Sequence, residues 1–133
     1  MSYGGGLSLQ RAIYGVLTAD AALGTLVGEA IYEAPPAGAL PDLWVSLGGE
    51  RVRDRSSVSG AGAQHDLTVS VVCDGGYARA KAAAEAISDA LDGARPTLNR
   101  GRVTDMRFLR ARAGRRGSTR RIDLVFRAFW DET

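Results

Sequence analysis

The spacing of apolar residues changes period several times along this chain, and each change predicts an element. From Ser8 to Thr18, Leu9, Ile13 and Val16–Leu17 recur at three- and four-residue steps, which gathers them into one stripe on an α-helix with Ser8 as its expected N-cap. Asp20 is placed to cap a second, short helix over Ala21–Val27, which Gly28 would end. The two read as a helix with a break, packed by one face. Ala30–Ala34 is a short strand candidate, and it runs into a loop from Pro35 to Pro41, whose three prolines suit neither a helix interior nor a central strand. Leu43–Val52 alternates as a strand, with Trp44 and Val45 on opposite faces and Gly48-Gly49 marking a bulge or bend. The serine- and glycine-rich stretch Arg55–Ala63 reads as a flexible connection.

Strict alternation then takes over. His65, Leu67, Val69, Val71 and Cys73 share one face of a strand and Asp66, Thr68 and Ser70 the other, the pattern of a half-buried sheet. Asp74-Gly75-Gly76 ends it. Tyr77–Leu91 is an alanine-rich helix whose Ala80, Ala83, Ala84, Ile87 and Leu91 form a thin seam that lets it lie close to the sheet. After a turn region at Gly93–Gly101, two strands close the chain, Arg102–Ala113 and Arg120–Trp130, joined by a hairpin over Gly114–Thr119. On the first, Arg102 and Arg110 are expected on the same face as Met106 and Phe108. The order α-α-β-β-β-α-β-β describes an α+β domain with a mainly antiparallel sheet of four to five strands and helices packed against it. At 133 residues the whole chain, 1–133, is one domain, with Met1–Gly6 as a flexible N-terminal arm.

Composition narrows the function classes. The chain is 45% hydrophobic and 24% charged, as in an ordinary globular protein. One cysteine, Cys73, and one histidine, His65, leave no internal disulfide and no Cys/His zinc site. No apolar run approaches the ~20 residues of a membrane span, and Met1–Gly6 lacks the features of a signal peptide, so no membrane partner is expected and synthesis is expected in a reducing cytoplasm. The formal charge of +2 hides an asymmetry: residues 1–66 carry four arginines and seven acids, whereas residues 67–133 carry thirteen basic residues and eight acids. Between Arg95 and Arg121 ten arginines face the single acid Asp105. All the basic residues but Lys81 are arginine. Either a GC-rich coding bias explains that choice, or planar guanidinium groups are wanted for contacts with carboxylates or phosphates.

Catalytic chemistry finds no footing. A nucleophile needs a base and a group to orient it, and the lone His65 lies on an apolar strand face, where it packs. Cys73 on the same face reads as a buried, inert thiol. The glycine clusters lack the endings of phosphate-binding loops, and the acids are scattered, so no cofactor or metal is expected. The feature that points to a partner is the basic C-terminal hairpin. Its arginines could grip nucleic-acid phosphates, reach a protein neighbour as an exposed arm, or stand merely solvated, and the sequence alone leaves all three open. The candidate contact residues are Arg51, Arg53, Asp54 and Arg55, with Arg110, Arg112, Arg115, Arg116, Arg120 and Arg121.

Several runs together resemble a known family. LQRAIY at Leu9–Tyr14, LTADAAL at Leu17–Leu23, Gly28, Ile31-Tyr32, the proline-rich loop and WVSLG at Trp44–Gly48 look like the opening of the tail completion, or tail terminator, proteins of long-tailed bacteriophages and phage-like gene transfer agents. The likeness continues through Arg53-Asp54, the Gly60/Gly62 loop with His65, the strand Leu67–Val72, the helix around Ala84–Ile87 and the last strand pair. The resemblance implies a non-enzymatic structural protein with no catalytic residues. It implies a ring-forming subunit of the tail–neck region, typically hexameric, that caps the tail tube, meets a head–neck stopper or adaptor protein, and lets DNA pass through its lumen without sequence-specific binding. The implied location is the virion or phage-like particle, after synthesis in the bacterial host cytoplasm. A neighbouring head-closure (stopper) ring protein and a small nucleic-acid-binding protein using the basic hairpin are the competing readings.

Overall fold

The apolar stripes fold largely where the spacing places them. The computed structural model describes residues 3–133, so Met1 and Ser2, the outer part of the expected arm, lie outside the described residues. The first stripe forms α1 (Gly6–Ala19), burying Leu9, Ile13 and Leu17. It starts two residues before Ser8, whose side chain makes no cap; Gly5 is the N-cap. The cause is tertiary. Gly5 and Gly6 are buried, Gly5 against the ring of Trp130 and Gly6 against that of Tyr3, so the chain turns into the helix as it leaves these contacts. Asp20 is extended (φ −74°, ψ 119°), breaks the helix, and accepts a 2.9 Å hydrogen bond from the Leu23 amide to cap α2 (Ala21–Val27). The third helix, α3 (Tyr77–Leu91), has the predicted bounds and buries its alanine seam.

Five strands make one sheet: β1 (Ile31–Tyr32), β2 (Leu43–Asp54), β3 (Gly62–Asp74), β4 (Arg102–Arg116) and β5 (Thr119–Asp131). Their order is β1-β2-β3-β5-β4. β1 runs parallel to β2 and the other pairs are antiparallel. β1 holds two residues instead of five, because only Ile31 and Tyr32 find partners, on Val45 and Ser46, before the prolines intervene. β2 carries its register shift between Leu47 and Glu50, where Gly48-Gly49 marks it. The β2–β3 connection is closed by hydrogen bonds from the Arg55 amide to the Gly62 carbonyl and between Ser57 and Gly60.

All three helices pack on one face. Leu43, Val45, Val69, Val71, Ile122, Leu124 and Phe126 take alternate strand positions and join the buried helix residues in one cluster. Trp130 lies at its rim, its Nε1 donating to the Arg100 carbonyl at 3.1 Å. Gly101 beneath it has φ +70°, and a Cβ there would lie 2.6 Å from the Asp131 carbonyl oxygen, so that position requires glycine. Among the described residues, the opposite face of the sheet carries no helix.

β4 departs from the sequence reading. Its register shifts between Val103 and Asp105 and again between Phe108 and Arg110. The second shift inserts Leu109 as an extra residue and reverses the alternation beyond it. Phe108 still pairs with Phe126 on the helix side, but Arg110 pairs with Val125 and Arg112 with Asp123. Arg110 therefore lies on the open face, opposite to Met106 and Phe108, and the first shift leaves Arg102, paired with Asp131, on that open face as well, which corrects the single-face expectation for both arginines. The hairpin also closes more tightly than the expected six-residue loop: Arg116 pairs with Thr119, leaving Gly117-Ser118 as a two-residue turn with Gly117 at φ +62°.

On the open face Arg127 of β5 donates Nε and Nη2 to the Asp66 carboxylate of β3 at 2.8 and 3.0 Å, across the register pair that joins them. That hydrogen-bonded ion pair holds Asp66 below the usual carboxylate range, against a smaller opposing effect of burial.

Two outcomes follow for stability. Asp20→Ala removes the α2 cap and is expected to lower the unfolding free energy by about 1 kcal/mol, with Asp20→Asn close to wild type; equal denaturation midpoints for wild type and the alanine variant would contradict the cap. Because the Asp66 pKa is lowered on folding, its stabilisation is complete above the ordinary carboxylate value and is lost as pH falls from there through the lowered, folded-state value. Denaturant titrations across that range should show a shallower acid loss for Asp66→Asn than for wild type, and parallel curves would remove the pair from the account.

Candidate functional site

The candidate contact residues divide between two places. Arg51 and Arg53 stand on β2 opposite Asp66 and Gln64 of β3, and both are exposed. Asp54 ends the strand, where the Ser56 hydroxyl donates to its Oδ1 at 2.7 Å and holds its pKa down. Arg55 lies with its guanidinium 5.7 Å from the centre of the Phe129 ring, and Arg107 lies 5.5 Å from the same ring. Thus the Arg51–Arg55 segment borders the open face at the end where β2 and β3 turn. Arg110 lines a shallow groove there with Arg51, Asp66, Thr68 and Val125.

The remaining arginines sit at the other end, on the β4–β5 hairpin, and alternation sends them to different faces. Arg120 turns to the helix side, 5.5 Å over the Tyr77 ring at the start of α3, and donates from Nη1 to the Ser118 carbonyl at 3.0 Å. Arg115 is its cross-strand partner. Arg121 lies on the open face, donating from Nε to Asp123 Oδ1 at 2.9 Å and from Nη2 to Ser70 Oγ at 3.2 Å. Ser70, fully buried, donates in turn to Asp123 at 2.6 Å. Arg112, Arg115 and Arg116 form no side-chain hydrogen bond or ion pair with the described residues. The hairpin residues 110–118 are exposed throughout.

Between Arg112, Arg116 and Arg121 lies a trough of about 480 Å³ across the open face, with Trp44 of β2 and Val72 of β3 in its lining. Gly114 opens it, since a Cβ there would meet nothing within 4 Å. The arrangement offers an aromatic and an aliphatic surface ringed by guanidinium groups, with Asp123 as the one acid in the lining. It suits a ligand that is part apolar and part anionic. Sequence reasoning named the arginines and missed Trp44, Val72 and Gly114. The alternation of Trp44 and Val72 against core residues placed both on the open face, but only the strand order brings that face's residues together with the hairpin.

The solitary His65 and Cys73 are both fully buried on the helix side. His65 Nδ1 lies 3.3 Å from Glu50 Oε2, and its ring stacks on Tyr3, whose hydroxyl donates to Glu50. That contact holds Tyr3, part of the expected arm, against the sheet. Among the described residues no group of His, Cys, Asp and Glu is arranged to hold a metal ion, and no helix is long and apolar enough to cross a membrane.

Comparison with curated proteins gives no match. A solved structure does match: a chain from the virion of a native gene transfer agent particle superposes with a TM-score of 0.93 at 52% identity, over 98% of this chain and 99% of that one. The profile of the tail completion protein gp17 family matches residues 11–131, nearly the whole fold from α1 to the end of β5. This chain belongs to the tail completion protein gp17 family.

Proposed function

We propose that this protein is a non-enzymatic structural component of a phage-like particle, located at the tail–neck junction, where copies form a ring that terminates the tail tube and joins it to the head–neck complex. The observation that carries the reading is the 52% identity, over 98% of the chain, to a chain of the gene transfer agent virion. In this reading the ring is a hexamer, its neighbours are the tail tube protein and a stopper or adaptor protein, and DNA passes through its lumen without sequence-specific contacts.

The distribution of charge supports a ring. Head-to-tail closure needs two unlike surfaces on every subunit. From Ala12 to Glu50 the chain has no basic residue and carries Asp20, Glu29, Glu33, Asp42 and Glu50. The β4–β5 hairpin carries the opposite sign. Arg51, Arg53, Asp54 and Arg55 with Arg110 toward one end of the sheet, and Arg112, Arg115, Arg116, Arg120 and Arg121 on the two sides of the hairpin at the other, are the groups that meet neighbouring subunits or rings.

The test is electron microscopy and mass photometry of the purified protein with and without tail tubes. The expected result is a ring-sized species at tube ends, formed equally well without DNA. A chain that remains monomeric beside tubes yet binds duplex DNA with a steep salt dependence would overturn the reading in favour of a nucleic-acid-binding role.

A further inference from the structure

The trough and one exposed loop have complementary chemistry. Arg112 and Arg116 on the trough's rim form no ion pair with the described residues, and Trp44, at the start of β2, lines the same trough. Residues 33–39 are exposed without a break, and the loop from Glu33 to Asp42 holds Pro35, Pro36 and Pro41 and no basic residue. It links β1 to β2 and contributes nothing to the trough of its own chain. Proline-rich segments are extended before they bind, lose little entropy on docking, and favour grooves with an aromatic wall. Carboxylates at both ends of such a segment match a rim of unpaired guanidinium groups.

We propose that the trough receives the Glu33–Asp42 loop of a neighbouring copy, with the prolines against Trp44 and Val72 and with Glu33 and Asp42 meeting Arg112 and Arg116. The contact is head-to-tail, because the loop and the trough are different surfaces of the same chain, and its repetition closes a ring or extends a filament according to the angle between copies. The inference rests on the ring reading and adds to it the surface that joins subunits.

A charge exchange tests it. The trough variant carries Arg112→Glu with Arg116→Glu, and the loop variant carries Glu33→Arg with Asp42→Arg. All four positions are exposed, and circular dichroism with thermal midpoints establishes that each variant folds as wild type. Each variant alone places like charges at the contact and should lose at least about tenfold in self-association beside tail tubes. An equimolar mixture should regain association, because each reversed trough meets a reversed loop and each native trough a native loop; a chain carrying all four changes should regain it as well. Folded single variants that assemble like wild type, or a mixture that stays dissociated, would overturn the inference while leaving the ring standing. If wild type itself forms no ring on tubes, the ring reading fails and this contact with it. If the trough variant keeps its ring but loses salt-sensitive binding to a DNA duplex, the trough is a phosphate site and the inference is wrong.

Discussion

Helices and strands advance along their axes at different rates, about 1.5 Å per residue against about 3.3 Å. The longest helix, α3, has 15 residues and spans roughly 22 Å, while β4, also of 15 residues, spans roughly 50 Å. With α1 and α2 on the same side of the sheet, the helix layer covers the middle of one face and leaves the hairpin end beyond it. That is why Ala111 and Ala113, which pair with core-facing Leu124 and Ile122, are nevertheless exposed. Among the described residues no helix covers the face opposite the helical layer or either side of the hairpin.

The open face is built to tolerate water at one end and to remain unsatisfied at the other. Near the β2–β3 turn, Arg127 is paired with Asp66 and two guanidinium groups lie over Phe129, so charge and aromatic surface are already matched within the chain. Toward the hairpin tip, Arg121 is held by Asp123 and Ser70, but Arg112 and Arg116, which line the same trough as Trp44 and Val72, form no ion pair or side-chain hydrogen bond with the described residues. Exposed ion pairs contribute little to stability, so these arginines are not required to hold the sheet together. The edge of β4 follows the same division. The Gly93 amide donates to the Met106 carbonyl at 2.7 Å and the Phe108 amide donates to Asp92 at 2.8 Å, covering the edge at its middle. Leu109 then bulges the strand, and beyond it the edge has arginines for neighbours, a pattern that discourages indiscriminate strand pairing.

Much of this was legible in the sequence where a local cause fixes local structure. Asp20 caps α2, Tyr77–Leu91 forms α3, and the alternation from His65 to Cys73 gives a strand whose His65, Val69, Val71 and Cys73 face the core, although Ser70 on its other face is buried as well. The Gly48-Gly49 pair announced the β2 bulge. Leu109, an ordinary β-forming residue in an ordinary position, announced nothing, and its bulge is what moved Arg110 to the other face. The early start of α1 was equally hidden, because it depends on Trp130 packing over Gly5 from the far end of the chain. The basic hairpin could be found by counting charges. The trough could not, since it assembles from four strands whose order in the sheet differs from their order in the chain.

The central claim is that the surfaces left uncovered by the helices are those covered in the assembled particle. Hydrogen–deuterium exchange of the free protein against the protein assembled on tail tubes tests this most directly, because the edge beyond Phe108 and the hairpin have no covering element in the free chain. The account predicts that added protection concentrates in residues 109–118 and in the loop between Tyr32 and Leu43, while α3 exchanges alike in both states. Protection confined to the helical face, with the hairpin exchanging as fast on tubes as in solution, would contradict it.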